Sequence, residues 1–143
     1  MLSAELMGRL GNQMFIIATV ESLARDNDDE AMFSNIVVGI TPSSKSQSLY
    51  EQTIFRKIKF IEPSKLSKKF ESAHVEPQNH VYKKINYSKN LFLKGYFQCE
   101  KYFSHNRDYI LDLFSPIKQV EDYINKKYKK IINNDECVFV HIR

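Results

Sequence analysis

Leu2-Ser3-Ala4-Glu5-Leu6-Met7-Gly8-Arg9-Leu10-Gly11-Asn12-Gln13 opens with a run, Leu2 to Met7, short and apolar enough for a buried strand. The run ends in a glycine-punctuated loop, where Gly8 and Gly11 permit a sharp turn and close approach of backbone. Asn12 stands where a helix N-cap belongs. From Gln13 to about Arg25, Phe15, Ile16, Ile17, Val20, Leu23 and Ala24 cover most of a helical surface, which implies burial against a sheet. The opening therefore predicts a strand-loop-helix unit.

Outward from this unit, Asp26 to Glu30 form an acidic turn, Ala31 to Val38 offer a second strand, and Gly39 to Ser48 make a polar loop. A short helix is expected from Leu49 to about Lys57. Between Phe60 and Asn90 the apolar residues are too scattered to fix a period, with short strands suggested at Ala73–Val75 and Val81–Tyr82. Leu91 to Phe97 is β-prone and rich in aromatics. A helix is expected from about Glu100 to Leu113, stopped by Ser115-Pro116. Another spans Ile117 to Ile132, where Ile117, Val120, Ile124, Tyr128 and Ile131 recur at helical spacing and lysines crowd the last turns. Cys137 to Arg143 has the pattern of a buried strand. Strands alternating with helices predict an α/β fold on a mostly parallel sheet.

With 143 residues, 43% of them hydrophobic, the chain suits one globular domain and cannot hold a complete two-domain enzyme. Ten Phe and eight Tyr against four Gly and four Pro exclude a disordered or fibrous chain. The formal charge of +4 gives a modest field, weaker than a nucleic-acid surface requires. Cys99 and Cys137 belong to no C-x-x-C or Cys/His cluster, which indicates neither zinc nor a disulfide framework and makes a reducing, cytoplasmic setting the expectation. No signal peptide is readable, and Met14 to Val20 falls short of the roughly 18 residues of a membrane helix. Asn86-Tyr87-Ser88 fits a glycosylation tripeptide without a secretory context to support it.

Two groups of residues could carry chemistry. A loop such as Gly8 to Gln13 aims backbone N–H groups and a positive helix end at an anionic or hydroxyl-rich ligand, and Asn12 and Gln13 add donors and acceptors for a sugar or diphosphate. The competing reading is an ordinary β-α turn capped by Asn12. His141 and Arg143 share one face of the terminal strand, where an arginine can grip a diphosphate bidentately; otherwise they are a half-buried histidine and a surface arginine at a frayed end. Asp26-Asn27-Asp28 mimics a metal-holding D-x-D but lacks the strand that would present it, so it is read as a solvated helix end. His74, His80 and His105 show no ligand spacing, and no Ser-His-Asp set can be selected. The lysine clusters at 68–69, 83–84 and 126–130 are interspersed with acids and are read as solvated faces.

Three blocks together resemble a known family. Gly8-Arg9-Leu10-Gly11-Asn12-Gln13-Met14-Phe15, then Leu93-Lys94-Gly95-Tyr96-Phe97-Gln98-Cys99-Glu100-Lys101-Tyr102-Phe103, then Val138-Phe139-Val140-His141-Ile142-Arg143 resemble, in order, the family 11 glycosyltransferases, which are α-1,2-fucosyltransferases. The last block resembles the start of an H-x-R-R-G-D segment shared with other users of GDP-fucose. The chain departs from the pattern at Ile16-Ile17, where Gln-Tyr is usual, at Cys99, where Ser is common, and in stopping at Arg143.

The resemblance implies a GT-B enzyme with two Rossmann-like domains facing across a cleft. Residues 1–134 would form the N-terminal, acceptor-side domain, and residues 135–143 would open the nucleotide-sugar domain, truncated here. The implied reaction moves L-fucose from GDP-fucose to the 2-hydroxyl of a galactoside with inversion. No obligatory metal or other cofactor is expected. Arg143 would bind the diphosphate, His141 would shape its pocket, and Gly8, Arg9, Gly11, Asn12 and Gln13 would border the cleft near the transferred sugar. No catalytic base is nominated, and the Gly95-Tyr96-Phe97 block is expected to form cleft wall rather than do chemistry. The expected partners are GDP-fucose and a galactose-terminated glycan, without nucleic acid and with room for peripheral membrane association of the full-length enzyme. This chain alone is expected to be inactive. The alternatives are an inactive truncated remnant and a small basic binding domain.

Overall fold

The computed structural model describes residues 1–34, 36–38, 50–66, 70–77, 81–138 and 140. The polar loop expected over Gly39 to Ser48, His80, Lys68-Lys69, and the pair His141 and Arg143 lie outside them. The fold is mixed α/β, and all four strand pairings formed by the described residues are parallel.

The opening run is divided. Its first half, β1 (Leu2–Ala4), pairs with β7 (Leu91–Lys94), while its second half, β2 (Leu6–Met7), pairs with β4 (Val37–Val38). The break falls at the one charged residue in the run. Glu5 keeps its N–H on the Leu93 carbonyl at 3.2 Å and swings its half-exposed carboxylate to Lys94 Nζ at 3.4 Å, so the strand changes neighbour there. Leu2 is flanked by Leu91 on one side and Ala31 on the other. The sheet thus grows from the first strand in both directions. One side continues through residues 31–38, with β3 (Phe33–Ser34) against β5 (Phe60–Ile61); the other adds β7 and then β6 (Ser72–Val75). Val81–Tyr82, where a strand is expected, is coil.

Helix α1 (Leu10–Asp26) covers the sheet, with Ile16, Ile17 and Val20 fully buried. Each such side chain contributes about 1.5–3 kcal/mol. Residues 50–52 are helical and run into turns through residue 57, so the helix ends before the expected Lys57. The short α2 (Pro63–Leu66) follows β5. Phe55 is an aromatic hub of the same core, its ring 6.4 Å from Phe60 and 6.0 Å from Phe114.

The helix expected over Glu100–Leu113 is two 3₁₀ turns, Glu100–Tyr102 and Ser104–Asn106, and then α3 (Arg107–Leu113). In this broken stretch Tyr102 packs edge-on against Phe97 at 5.4 Å and Phe103 against Phe15 at 5.8 Å. The stop at Pro116 is pinned from outside: the Arg56 guanidinium donates to the Ser115 carbonyl and hydroxyl and to the Pro116 carbonyl, and Lys57 Nζ donates to the Asp112 carbonyl at 2.9 Å.

Beyond it the expected helix is interrupted at Tyr128 into α4 (Lys118–Lys127) and α5 (Lys129–Ile132), and every residue from 118 to 138 is exposed. The buried strand expected over Cys137–Arg143 is not formed by its described members. Cys137, Val138 and Val140 lie in no strand, and Val138 and Val140 are 85% and 77% exposed. A lone strand leaves its backbone groups unpaired, and no described strand pairs with these residues. No helix among the described residues is long and apolar enough to cross a membrane.

Candidate functional site

Parallel sheets gather ligands outside the carboxyl ends of their strands, at the point where successive connections leave in opposite directions. Here the first strand and β7 lie side by side, with their carboxyl ends at one edge of the sheet. Two segments line it: Gly8 to Gln13, after β2, and Gly95 to Cys99, after β7.

Gly8 turns the chain with a φ of +67°. The helix then begins earlier than the sequence suggests. Arg9, in extended conformation, is the N-cap and makes no side-chain capping bond, so Asn12 sits inside the first turn and is not the expected cap. The first intrahelical bond runs from the Gln13 N–H to the Arg9 carbonyl at 3.1 Å, leaving the N–H groups of Leu10, Gly11 and Asn12 without a helical acceptor. No acidic side chain occupies this turn. Gly11 is exposed, and a Cβ built on it would meet nothing within 4 Å.

The amides have separate duties. Gln13 is fully buried and its Nε2 donates to the Gly8 carbonyl at 2.9 Å, closing the loop on itself. Asn12 faces the other way and accepts a hydrogen bond from Gln98 Nε2 at 2.7 Å. This contact ties the two segments together.

The β7 side is braced differently. Glu76, just past β6, is buried, and its Oε2 accepts from the N–H groups of Tyr96 at 2.7 Å and Phe97 at 2.9 Å. Those bonds hold a turn with φ of +155° at Gly95 and +49° at Phe97, the latter in the left-handed region that a phenylalanine rarely enters. His74 lies behind, its ring centroid 6.3 Å from that of Phe97 and its Nε2 buried without a hydrogen bond among the described residues. Burial and the Lys83 charge hold its imidazole below the ordinary pKa, against an opposing pull from Glu76.

Of the residues nominated from sequence, Gly8, Arg9, Gly11, Asn12 and Gln13 come together at this edge, with Arg9 and Gly11 exposed and Gln13 committed to the loop. Gln98 and Glu76 were not nominated. Gln98 was discernible only as part of the aromatic block, and Glu76 falls in the stretch without periodicity.

A second polar cluster sits at the far end of α1. His105 Nε2 is 2.7 Å from Asp26 Oδ2 and 3.3 Å from Ser22 Oγ, and Asn106 Nδ2 donates to both Ser22 Oγ and Asp26 Oδ1. This is no catalytic triad, because serine and aspartate approach the same ring nitrogen and Ser22 is fully buried. It fastens α1 to the second 3₁₀ turn and gives Asp26 a structural task. Among the described residues no group of three or more His, Cys, Asp or Glu could hold a metal ion. A groove of about 490 Å³ between α1 and α3 is walled by Met14, Phe15, Ile110 and Phe114 and offers almost nothing polar to orient a sugar nucleotide. Comparison of the chain with protein-family models, curated proteins and solved structures finds no match.

Proposed function

We propose that this chain is the acceptor-side, Rossmann-like domain of a GT-B α-1,2-fucosyltransferase that uses GDP-fucose. The observation that carries the reading is the Asn12–Gln98 hydrogen bond, which joins the first two family-like blocks at the strand ends where a parallel sheet receives its ligands. The uncommitted N–H groups of Leu10, Gly11 and Asn12 suit an oxygen-rich, electron-rich ligand, and the space at Gly11 lets one approach the backbone.

In the proposed reaction the 2-hydroxyl of a galactoside attacks the anomeric carbon of fucose, the bond to the GDP β-phosphate breaks, and configuration inverts. Charge on the departing diphosphate would be met by Arg143 and by helix N–H dipoles, with His141 shaping the pocket and no obligatory metal. The nucleotide domain would begin at residue 135. The setting would be cytoplasmic, with room for peripheral membrane contact.

Two measurements test this. In the ¹⁵N-labelled chain, GDP-fucose or a β-galactoside is expected to shift the amides of Gly8, Gly11, Asn12 and Gln98; shifts elsewhere only, or none at millimolar ligand, overturn the site. Radiolabelled GDP-fucose with a galactoside acceptor is expected to show no transfer above a protein-free control. Transfer above it would support the activity and overturn the assignment of this chain as half of the enzyme.

A further inference from the structure

At the C-terminal end of α1 a polar pocket of about 360 Å³ opens between that helix and the start of α3. Arg25, in the last turn of α1, and Arg107, the first residue of α3, both line it. Both are exposed, and neither guanidinium makes a hydrogen bond or an ion pair among the described residues. A cation in the last turn suits the negative end of α1, which gives Arg25 a local reason to be there. A cation that opens a helix faces its positive end instead. Arg107 therefore stands against the local field with no described carboxylate to offset it.

Arg25 is held in place. Its guanidinium lies over the Tyr109 ring, 4.7 Å from the centroid, and the Tyr109 hydroxyl donates to Glu21 Oε2 at 2.7 Å. Stacking occupies the flat face of the guanidinium and leaves its N–H edge for an acceptor. Two nearby carboxylates have other duties, Glu21 on Tyr109 and Asp26 on His105 and Asn106. Asp108, also on the pocket wall, pairs with neither arginine.

We propose that this pocket binds a phosphate monoester, the dianion gripped by Arg25 and Arg107 and a hydroxyl of the esterified group donating to Asp108. Guanidinium forks match phosphate oxygens bidentately, while a carboxylate beside them disfavours a bare anion and favours one that brings a donor. The pocket is separate from the Gly8 loop, because Leu10 and Arg25 stand about 22 Å apart along α1 at 1.5 Å per residue. Soluble sugar phosphates and the head group of phosphatidate both carry this chemistry.

Isothermal titration of the full chain with glucose 6-phosphate is expected to show binding at millimolar concentration or tighter, and with glucose none. Arg25→Gln and Arg107→Gln should each weaken it by about 10-fold or more with circular dichroism unchanged, since both side chains are exposed, and Arg25→Lys should recover little. Should Arg25→Gln misfold, Arg107→Gln carries the test, because Arg107 stacks on no ring. Lys126→Gln removes the same charge from α4 and should change nothing. Cosedimentation with phosphatidylcholine vesicles containing phosphatidate or phosphatidylserine separates the sources. Capture by phosphatidate alone, lost in Arg107→Gln, supports a lipid head group, and titration without capture supports a soluble ester. Failure of both glucose 6-phosphate and phosphatidate to bind overturns the proposal. So does binding that Arg107→Gln leaves intact, or that Lys126→Gln weakens equally, or capture by phosphatidylserine as strong as by phosphatidate.

Discussion

Gly8 and Gly95 each end a strand on the same edge of the sheet with positive φ, yet one turn is braced by amides and the other by a carboxylate. At Gly8 the brace is Gln13, a neutral side chain that takes up a single carbonyl and leaves the N–H groups of Leu10, Gly11 and Asn12 without an acceptor among the described residues. At Gly95 the Glu76 carboxylate consumes two consecutive N–H groups, those of Tyr96 and Phe97. A turn whose donors are already bound to an internal anion has few left for a ligand. The Gly95 turn is therefore wall, the Gly8 turn faces outward, and Asn12–Gln98 is the tie between them.

The largest effect should come from filling the wall. A Cβ at residue 95 would drive into Glu76 in a backbone conformation that alanine resists. Gly95→Ala should cost about 3 kcal/mol or more, a loss on the order of 10 °C in Tm. Glu76→Ala should cost about 2–4 kcal/mol by stranding the two N–H groups, and Glu76→Gln should recover much of it because a carboxamide oxygen still accepts. Thermal melts check both. If Gly95→Ala melts like wild type, the wall is not rigid and the contrast with Gly8 fails.

The Gly8 side should behave in the opposite sense. A Cβ at Gly8 would first meet the flexible Asn12 side chain, so Gly8→Ala should cost about 1 kcal/mol, largely from its φ of +67°, while displacing that amide. Gln98 is exposed, so Gln98→Ala should change stability by no more than about 0.5 kcal/mol. Both substitutions should remove the GDP-fucose-dependent shift at Gly11. A destabilised Gln98→Ala with ligand shifts intact would reverse the roles assigned to the two turns.

What the sequence made legible was local. The strand, the Gly8 turn and the buried helix are encoded within neighbouring residues, and β6 contains the short strand expected at Ala73–Val75. The partner of Asn12 lies 86 residues away, so its side chain could be assigned only the nearest task, the cap, which the early start of the helix at Leu10 removed. The Ser22, Asp26, His105 and Asn106 cluster spans a similar distance and was equally invisible. Over α4 and α5 periodicity predicts one helix, which the structure breaks at Tyr128, and it says only that a face is apolar, not that anything covers it. The Cys137–Arg143 pattern needed a neighbouring strand, and the three nominated or flanking residues at its end, His141, Ile142 and Arg143, lie outside the described residues.

The smallest effect sharpens the wall side by pH. The His74 imidazole stands behind Phe97, held below its ordinary pKa by burial first and the Lys83 charge second, with Glu76 pulling the other way. A base with a depressed folded pKa binds fewer protons in the native state than in the unfolded one. Stability therefore is fully present above the unfolded value near 6.5 and is lost as pH falls through the lower, folded value. Wild type should lose Tm between pH 7 and pH 5 more steeply than His74→Gln, and the two slopes should coincide above about pH 7.5, where the imidazole is neutral in both states. The Gly8 turn has no titrating brace, so the pH-dependent part should vanish with His74 and be untouched by Gln98→Ala. If His74→Gln keeps the acid-side slope, the titrating group lies elsewhere, and Phe97 is held by the Glu76 hydrogen bonds without help from the uncharged ring behind it.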